Sequence, residues 1–130
     1  MDRSAFRKSL EKVIEGIFDL DPRIRMVAVY QGQYILAGGM REGVQSYDPD
    51  DAYAIDMQLS KMGEIAQGWQ QWFGQLDALT LKYEKLNLTF HQVAGGRFLV
   101  MSTEPNVDPF STMEKIRARP DFKKLGQSIP

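Results

Sequence analysis

The sequence predicts an α+β fold in three layers (α/β/α), in which helices cover both faces of a five-stranded antiparallel sheet. The first observation is that apolar residues change between helical spacing and strand-like alternation, in the order helix, strand, strand, helix, strand, strand, strand, helix. The second is that both alternating residue sets of the first hairpin are largely apolar, which is typical of strands buried on both faces. We expect one domain over residues 1–130.

A first helix is predicted over residues 3–18, where charged residues separate apolar ones at three- and four-residue spacing. Its apolar stripe consists of Phe6, Leu10, Val13, Ile14 and Ile17. The segment "DLDP" at 19–22 ends this helix, because the residue before a proline is pushed out of the helical region. Residues 24–30 and 34–37 are then predicted as two strands, joined by a tight turn on Gly32.

The segment "ILAGGMREG" at 35–43 allows two interpretations. Glycines between a strand and a helix, with Arg41 nearby, can hold a phosphate on successive backbone N–H groups. However, neither "GxxxxGK[ST]" nor "GxGxxG" is present, and the aspartates that start the next helix would repel an anion. We therefore predict that the strand ends here in a sharp turn, and that Gly38 and Gly39 have positive φ or close packing.

The segment "SYDPDD" at 46–51 predicts the start of a central helix. Asp48 is expected to cap it and Pro49 to take the first helical position. Asp50 and Asp51 favour the positive end of the helix dipole. These carboxylates could also bind a cation, but the proline and the spacing favour capping.

The central helix is predicted to continue to residue 73, with Gly74 as its C-terminal cap. Gly63 and Gly68 either kink the helix or allow another backbone to approach it closely. The long apolar stripe consists of Ala52, Ile55, Leu59, Met62, Ala66, Trp69 and Phe73, and it is widened by Ile65 and Trp72.

Alternation returns in residues 76–86, 87–96 and 97–105, which predicts three further strands. Their core residues are expected to be Leu79, Leu81, Tyr83, Leu86, Leu88, Phe90, Phe98 and Val100. A last helix is predicted to begin with Asp108 as its cap and Pro109 in the first position. Its apolar stripe consists of Phe110, Met113 and Ile116, and Pro120 limits the helix. The tail at 119–130 is expected to be short and partly frayed.

This order of elements, with "IRMVAVYQGQYILAGGM" as the first hairpin and "GRFLVMSTEP" before the closing helix, resembles the roadblock (dynein light chain) family. It is most similar to a branch from ammonia-oxidising archaea in which "AGGMREG" follows the second strand. The resemblance covers residues 8–118 and implies a single roadblock-like domain. It also implies a homodimer in which the third strands join two sheets, a central helix that faces the partner, and no catalysis. Many roadblock proteins act as platforms or regulators for Ras-like GTPases.

Carried onto this chain, the resemblance places the dimer surface at residues 52–73 and 77–85. The interface residues that we predict there are Ile55, Leu59, Met62, Ile65, Trp69, Trp72, Phe73, Leu79, Leu81 and Tyr83. The segment "GWQQWFG" departs from the usual central helix, and its aromatic residues have two possible roles. They either fill the core of the chain or contact another protein, since tryptophan is enriched at binding hot spots.

Candidate catalytic residues are isolated from one another in the sequence. His91 is the only histidine, and it alternates with Asn87 and Thr89 rather than with the apolar residues of its strand. We therefore expect it at the surface or at an interface rather than in a metal site or in acid–base catalysis. Residues 102–104 lie at a strand end with no base beside them, so a nucleophile there is not expected.

The composition narrows the function further. Sixteen basic against seventeen acidic residues give a net charge of -1, which disfavours a nucleic-acid partner. The absence of cysteine excludes thiol catalysis and thiolate metal sites, and the charged first residues are unlike a secretory signal. No apolar run approaches the roughly 20 residues of a membrane span. We expect a cytoplasmic protein without cofactor.

The predicted function is that of a non-catalytic dimeric scaffold or regulator, with a small Ras-like GTPase as a candidate partner. The alternative is a sensory module that binds a small ligand between the sheet and a helix. An enzyme is the least favoured class, because no catalytic constellation is present.

Overall fold

The computed structural model describes residues 2–47, Asp50 and residues 52–126, without the side chains of residues 52–54 and Asp56. Its elements are α1 (Arg3–Phe18), β1 (Ile24–Gln31), β2 (Tyr34–Met40), α2 (Ala52–Gly68), α3 (Gln70–Phe73), β3 (Ala78–Lys82), β4 (Asn87–Val93), β5 (Arg97–Thr103) and α4 (Pro109–Arg117). Short 3-10 turns at Ala94–Gly96 and Phe122–Gly126 precede β5 and follow α4. The predicted order of elements is confirmed, with the central helix divided in two.

The five strands form one antiparallel sheet in the order β2-β1-β5-β4-β3. The first and the last strand in chain order, β1 and β5, are therefore neighbours, although residues 32–96 separate them along the chain. The sheet ends in β2 on one side and in β3 on the other. This confirms the α+β fold and places the third strand at an open edge.

The two faces of the sheet carry separate apolar clusters. On one face, α1 packs all five residues of its predicted stripe, and Asp2 caps that helix by accepting a hydrogen bond from the Ala5 N–H at 2.8 Å. This cluster consists of Phe6, Leu10, Val13, Ile14, Ile17, Ile24, Val27, Val29, Ala37, Val93, Leu99, Met101, Ile116 and Leu125. The smaller cluster, on the α2 face, consists of Ala28, Tyr30, Leu59, Phe90, Phe98 and Val100. Helices thus cover both faces, as predicted.

The two glycines of "AGG" lie inside β2, so the prediction that the strand ends before them is wrong. Gly38 pairs with Ala28 and Gly39 with Val27. Their φ values are +106° and +154°, as the prediction of positive φ requires. At Gly38, a Cβ atom would lie 2.2 Å from the Val27 carbonyl oxygen, so only glycine allows the strand to continue here. The turn comes later, where Gly43 has a φ of +81°.

The central helix is interrupted, which agrees with the interpretation that its glycines kink it. Regular helix ends at Gly68, and the short helix α3 begins at Gln70 and ends at Phe73. Gly74 then takes a φ of +87°, which confirms its predicted role in ending the segment. The predicted capping residues Asp48, Pro49 and Asp51 lie outside the described residues.

The C-terminal helix begins as predicted, since the Asp108 side chain accepts a hydrogen bond from the Phe110 N–H at 3.0 Å. Two details differ. Phe110 is 59% exposed, and Thr112 is buried in its place beside Met113 and Ile116. The tail is not frayed over residues 122–126, because Leu125 is fully buried. Gln127 to Pro130, which the same prediction covered, lie outside the described residues.

Candidate interaction surface

Four large apolar side chains project into solvent from the C-terminal part of the central helix. They are Ile65, Trp69, Trp72 and Phe73, with exposed fractions of 58%, 53%, 69% and 81%. We call these four residues the aromatic surface. Of the two roles predicted for the aromatic residues, filling the core of this chain is therefore wrong. Exposure of several neighbouring large apolar groups is typical of an interaction site.

The chain holds this segment in place with backbone and side-chain hydrogen bonds. The break after Gly68 turns the chain, and the Trp69 carbonyl accepts from the N–H groups of Trp72 and Phe73 at 3.0 Å each. The Gln70 side-chain oxygen then accepts from the Leu76 N–H at 2.7 Å and fixes the exit toward β3. The aromatic surface thus lies on an ordered segment. Its exposure to solvent does not result from a loose chain end.

The opposite side of α2 faces the sheet. Leu59 is buried, Met62 is half-buried, and Gly63 lies against the ring of Phe98. The ten predicted interface residues therefore fall into two groups. Leu59 faces inward, Met62 and Leu79 are half-buried against the cluster on the α2 face, and Leu81 is also half-buried. The more exposed group consists of Ile55 at 38%, Tyr83 at 57% and the aromatic surface.

The β3 strand provides a second surface beside the first. It pairs with β4 from Ala78 to Lys82, and no strand of the described residues pairs with its other side. An open edge of this kind presents unpaired backbone N–H and C=O groups that another strand can bind. Tyr83, which directly follows the strand, is 57% exposed, so its prediction as a core residue is wrong. The predicted interface residues are thus adjacent to a free sheet edge.

Arg41, the cation of "AGGMREG", is already engaged with the protein backbone. Its Nε donates to the Ile24 carbonyl at 2.7 Å, and its Nη2 donates to the carbonyls of Phe18 and Asp21 at 2.6 and 2.7 Å. The guanidinium also lies over the Phe18 ring, 5.0 Å from its centroid. Arg41 therefore stabilises the connection between α1 and β1, which gives this residue a structural role that the sequence did not reveal.

His91 is fully buried, so the prediction of a surface or interface histidine is wrong. It does face away from Phe90 and the other apolar residues of its strand, as predicted, but it lies on the sheet face that α1 and α4 cover. Neither ring nitrogen has a hydrogen-bond partner among the described residues. The pKa of His91 is lowered to about 4, mainly by burial and in addition by the nearby positive charge of Arg117, against an opposing effect of Asp77.

Other candidate sites do not assemble. Within residues 2–47 and 52–126, no three histidine or acidic side chains come together in a way that could hold a metal ion. Glu104, at the end of β5, forms an ion pair with Arg25 at 3.0 Å. In the part of the chain that the structure describes, none of the helices has the length and apolar character to cross a membrane.

Comparison with known proteins identifies the fold. No family model matches the chain, and no curated protein matches its sequence. Among solved structures, the gliding protein MglB of Thermus thermophilus superimposes with a TM-score of 0.74 at 12% identity, over 94% of this chain and 91% of that one. MglB of Myxococcus xanthus gives 0.70 at 11% identity, over 92% and 86% of the two chains. A roadblock/LC7 domain from Streptomyces avermitilis gives 0.64 at 12% identity, over 82% and 88%.

These similarities extend over nearly the whole chain and agree on one architecture. The chain therefore has the fold of roadblock/LC7 and MglB structures, with a five-stranded antiparallel sheet between helices. At identities near 12%, the similarity establishes the fold alone, and the function has to be argued from the surface.

Proposed function

We propose that this chain is a non-catalytic, dimeric regulator or scaffold that binds another protein through its aromatic surface. The single observation that carries the proposal is the exposure of Trp69, Trp72 and Phe73 on an ordered segment. Tryptophan side chains of this kind supply most of the binding energy in many interfaces. Without a partner, these large apolar side chains would stay exposed to water, which favours association.

The dimer that we propose forms along β3 and α2. Pairing of two β3 strands across a twofold axis would satisfy the open edge and extend the sheet from five strands to ten. Tyr83 lies at the end of this edge, and Ile55 lies on α2. Together they would continue the contact from strand to helix. Light scattering on the purified chain tests this step, since a dimer has twice the 14.8 kDa mass of one chain.

For the partner, we propose a small Ras-like GTPase. The support is the resemblance to roadblock proteins, many of which serve such GTPases, together with the fold that the chain shares with MglB. The partner would contact the aromatic surface of the dimer. The chain itself would then act by binding, and in the part that the structure describes no cluster of histidine and acidic side chains could hold a metal ion.

A binding experiment with purified proteins tests the proposal. The dimer is titrated with the small Ras-like GTPases of the same organism, each loaded with GDP or with a non-hydrolysable GTP analogue. We expect one of them to bind in a nucleotide-dependent manner and Trp72→Ala to weaken that binding. Tyr34→Ala is the matched control, because Tyr34 is 75% exposed on β2, at the opposite edge of the sheet. Equal loss of binding in both variants would contradict the proposed surface.

A further inference from the structure

A cavity of about 690 Å³ separates α2 from the sheet. This volume lies within the usual range of small-molecule sites, which is about 300–1,000 Å³. The walls are mainly apolar, with Leu59 and Met62 on the helix side and Met26 and Leu88 on the sheet side. The helix is held away from this part of the sheet while Gly63 brings its C-terminal half close to Phe98.

Ser102 provides a hydroxyl group at the sheet wall of the cavity, which Arg25 and Tyr30 of β1 also line. Ser102 lies on β5, on the same face as Val100, and lines the cavity although the residue is only 5% exposed. An apolar ligand atom placed against this hydroxyl would leave it buried without a partner, at a cost of about 1–3 kcal/mol, so a ligand oxygen beside Ser102 would be preferred to an apolar atom.

The charges around the cavity balance one another. Arg25 forms an ion pair with Glu104 at 3.0 Å and also donates to the Gln45 carbonyl at 2.8 Å, which leaves it little capacity for a ligand. Lys85 and Glu84 both line the mouth and carry opposite charges. A ligand with a net charge would find no excess of opposite charge and would lose hydration against the apolar walls.

From this cavity we propose that the chain binds an uncharged, mainly apolar small molecule with one hydrogen-bonding oxygen, the chemistry of a long-chain primary alcohol. The apolar chain lies between α2 and the sheet, and the oxygen meets the Ser102 hydroxyl. This site is distinct from the aromatic surface, so the proposal goes beyond the proposed function and its test needs no partner protein.

Methionine methyl groups provide a direct test. The full chain, labelled with ¹³C at its methionine methyl groups, is titrated with 1-decanol and, separately, with decanoate as the charged match. Met26, Met40 and Met62 line the cavity, whereas Met101 and Met113 are buried elsewhere in the fold. We expect saturable shifts of the first three signals with decanol, unchanged signals of the other two, and at least tenfold weaker binding of decanoate.

The Ser102→Ala variant tests the polar contact, and we expect it to bind decanol about fivefold more weakly. The signals of Met101 and Met113 report whether the variant retains the fold. The proposal is overturned if no signal saturates, if all methionines shift alike, if decanoate binds as well as decanol, or if Ser102→Ala binds decanol unchanged. The titration is carried out at one fixed protein concentration, because Ile55 and Tyr83 line the cavity and also belong to the proposed dimer contact.

Discussion

Gly63 lies so close to Phe98 that a Cβ atom on the helix would be 2.8 Å from Cε2 of the ring. This contact sets how near α2 can come to the sheet. Phe98 in turn meets Phe90 edge to face, with ring centroids 6.3 Å apart, so the ring cannot move away without disturbing its neighbour.

We therefore expect Gly63→Ala to destabilise the chain by about 1–3 kcal/mol, because the added methyl group overpacks this contact. Gly68→Ala is the matched control, since no atom lies within 4 Å of a Cβ there and alanine favours helix by up to about 1 kcal/mol. Urea unfolding of both variants measures the difference. An increase in stability in Gly63→Ala would show that α2 is not held against Phe98.

The glycine pair of β2 permits a similar comparison. At Gly38 a side chain would strike the backbone of β1, which cannot give way, and its φ is positive. We expect Gly38→Ala to lower the free energy of unfolding by more than about 2 kcal/mol. At Gly39 no atom lies within 4 Å of a Cβ, so Gly39→Ala should be the milder change. Equal effects in thermal unfolding would mean that close packing is not the reason for the first glycine.

Arg41 should be important for stability rather than for anion binding. In Arg41→Met, three backbone carbonyls lose their donor, and we expect a loss of about 2 kcal/mol or more in urea unfolding. Arg7→Met is the control, because the Arg7 side chain is 67% exposed and pairs only with Glu11 on the same helix. Micromolar nucleotide binding by calorimetry that disappears in Arg41→Ala would contradict this assignment.

His91 predicts a pH dependence of stability. Its pKa is about 4 in the folded chain and close to 6.5 when unfolded, so only the unfolded chain takes up a proton between these values. The free energy of unfolding should have its full value above pH 6.5 and should fall by about 3 kcal/mol as the pH drops to 4. Asp21 affects stability only at lower pH, because hydrogen bonding from Arg23 lowers its pKa to about 2.

The control for this effect is His91→Leu, which cannot titrate. Unfolding by urea at several pH values between 7 and 4 should show a steeper decline for the parent chain than for the variant. Parallel curves would mean that protonation of His91 is tolerated in the folded state.

The sequence was sufficient for the fold but not for the outward side of the central helix, because Trp69 and Phe73 share one apolar stripe with the buried Leu59 and either core packing or an interface fits that stripe. Periodicity placed α1 over residues 3–18 without error, and it correctly separated His91 from Phe90. It could not show that the face of His91 is covered, because that depends on where α4 returns along the sheet. For the same reason Phe110 could not be recognised as exposed.

The remaining differences come from contacts between distant parts of the chain. The conformation of Gly38 follows from the register of β2 on β1, and local turn propensities do not predict this register. The role of Arg41 depends on carbonyl groups of residues 18–24, about 20 positions earlier. The cavity around Ser102 exists only once α2 is placed over the sheet.

The most direct test of the central claim is a paired measurement on the double variant Trp69→Ala/Trp72→Ala, combining its thermal unfolding with its affinity for the GTPase that binds the parent chain. Because both side chains are exposed, we expect the free energy of unfolding to change by no more than about 0.5 kcal/mol per substitution. Binding should weaken by about 2 kcal/mol or more, which is roughly thirtyfold. Unchanged affinity, or a loss of about 3–5 kcal/mol in stability as for a core aromatic residue, would contradict a partner contact at the aromatic surface.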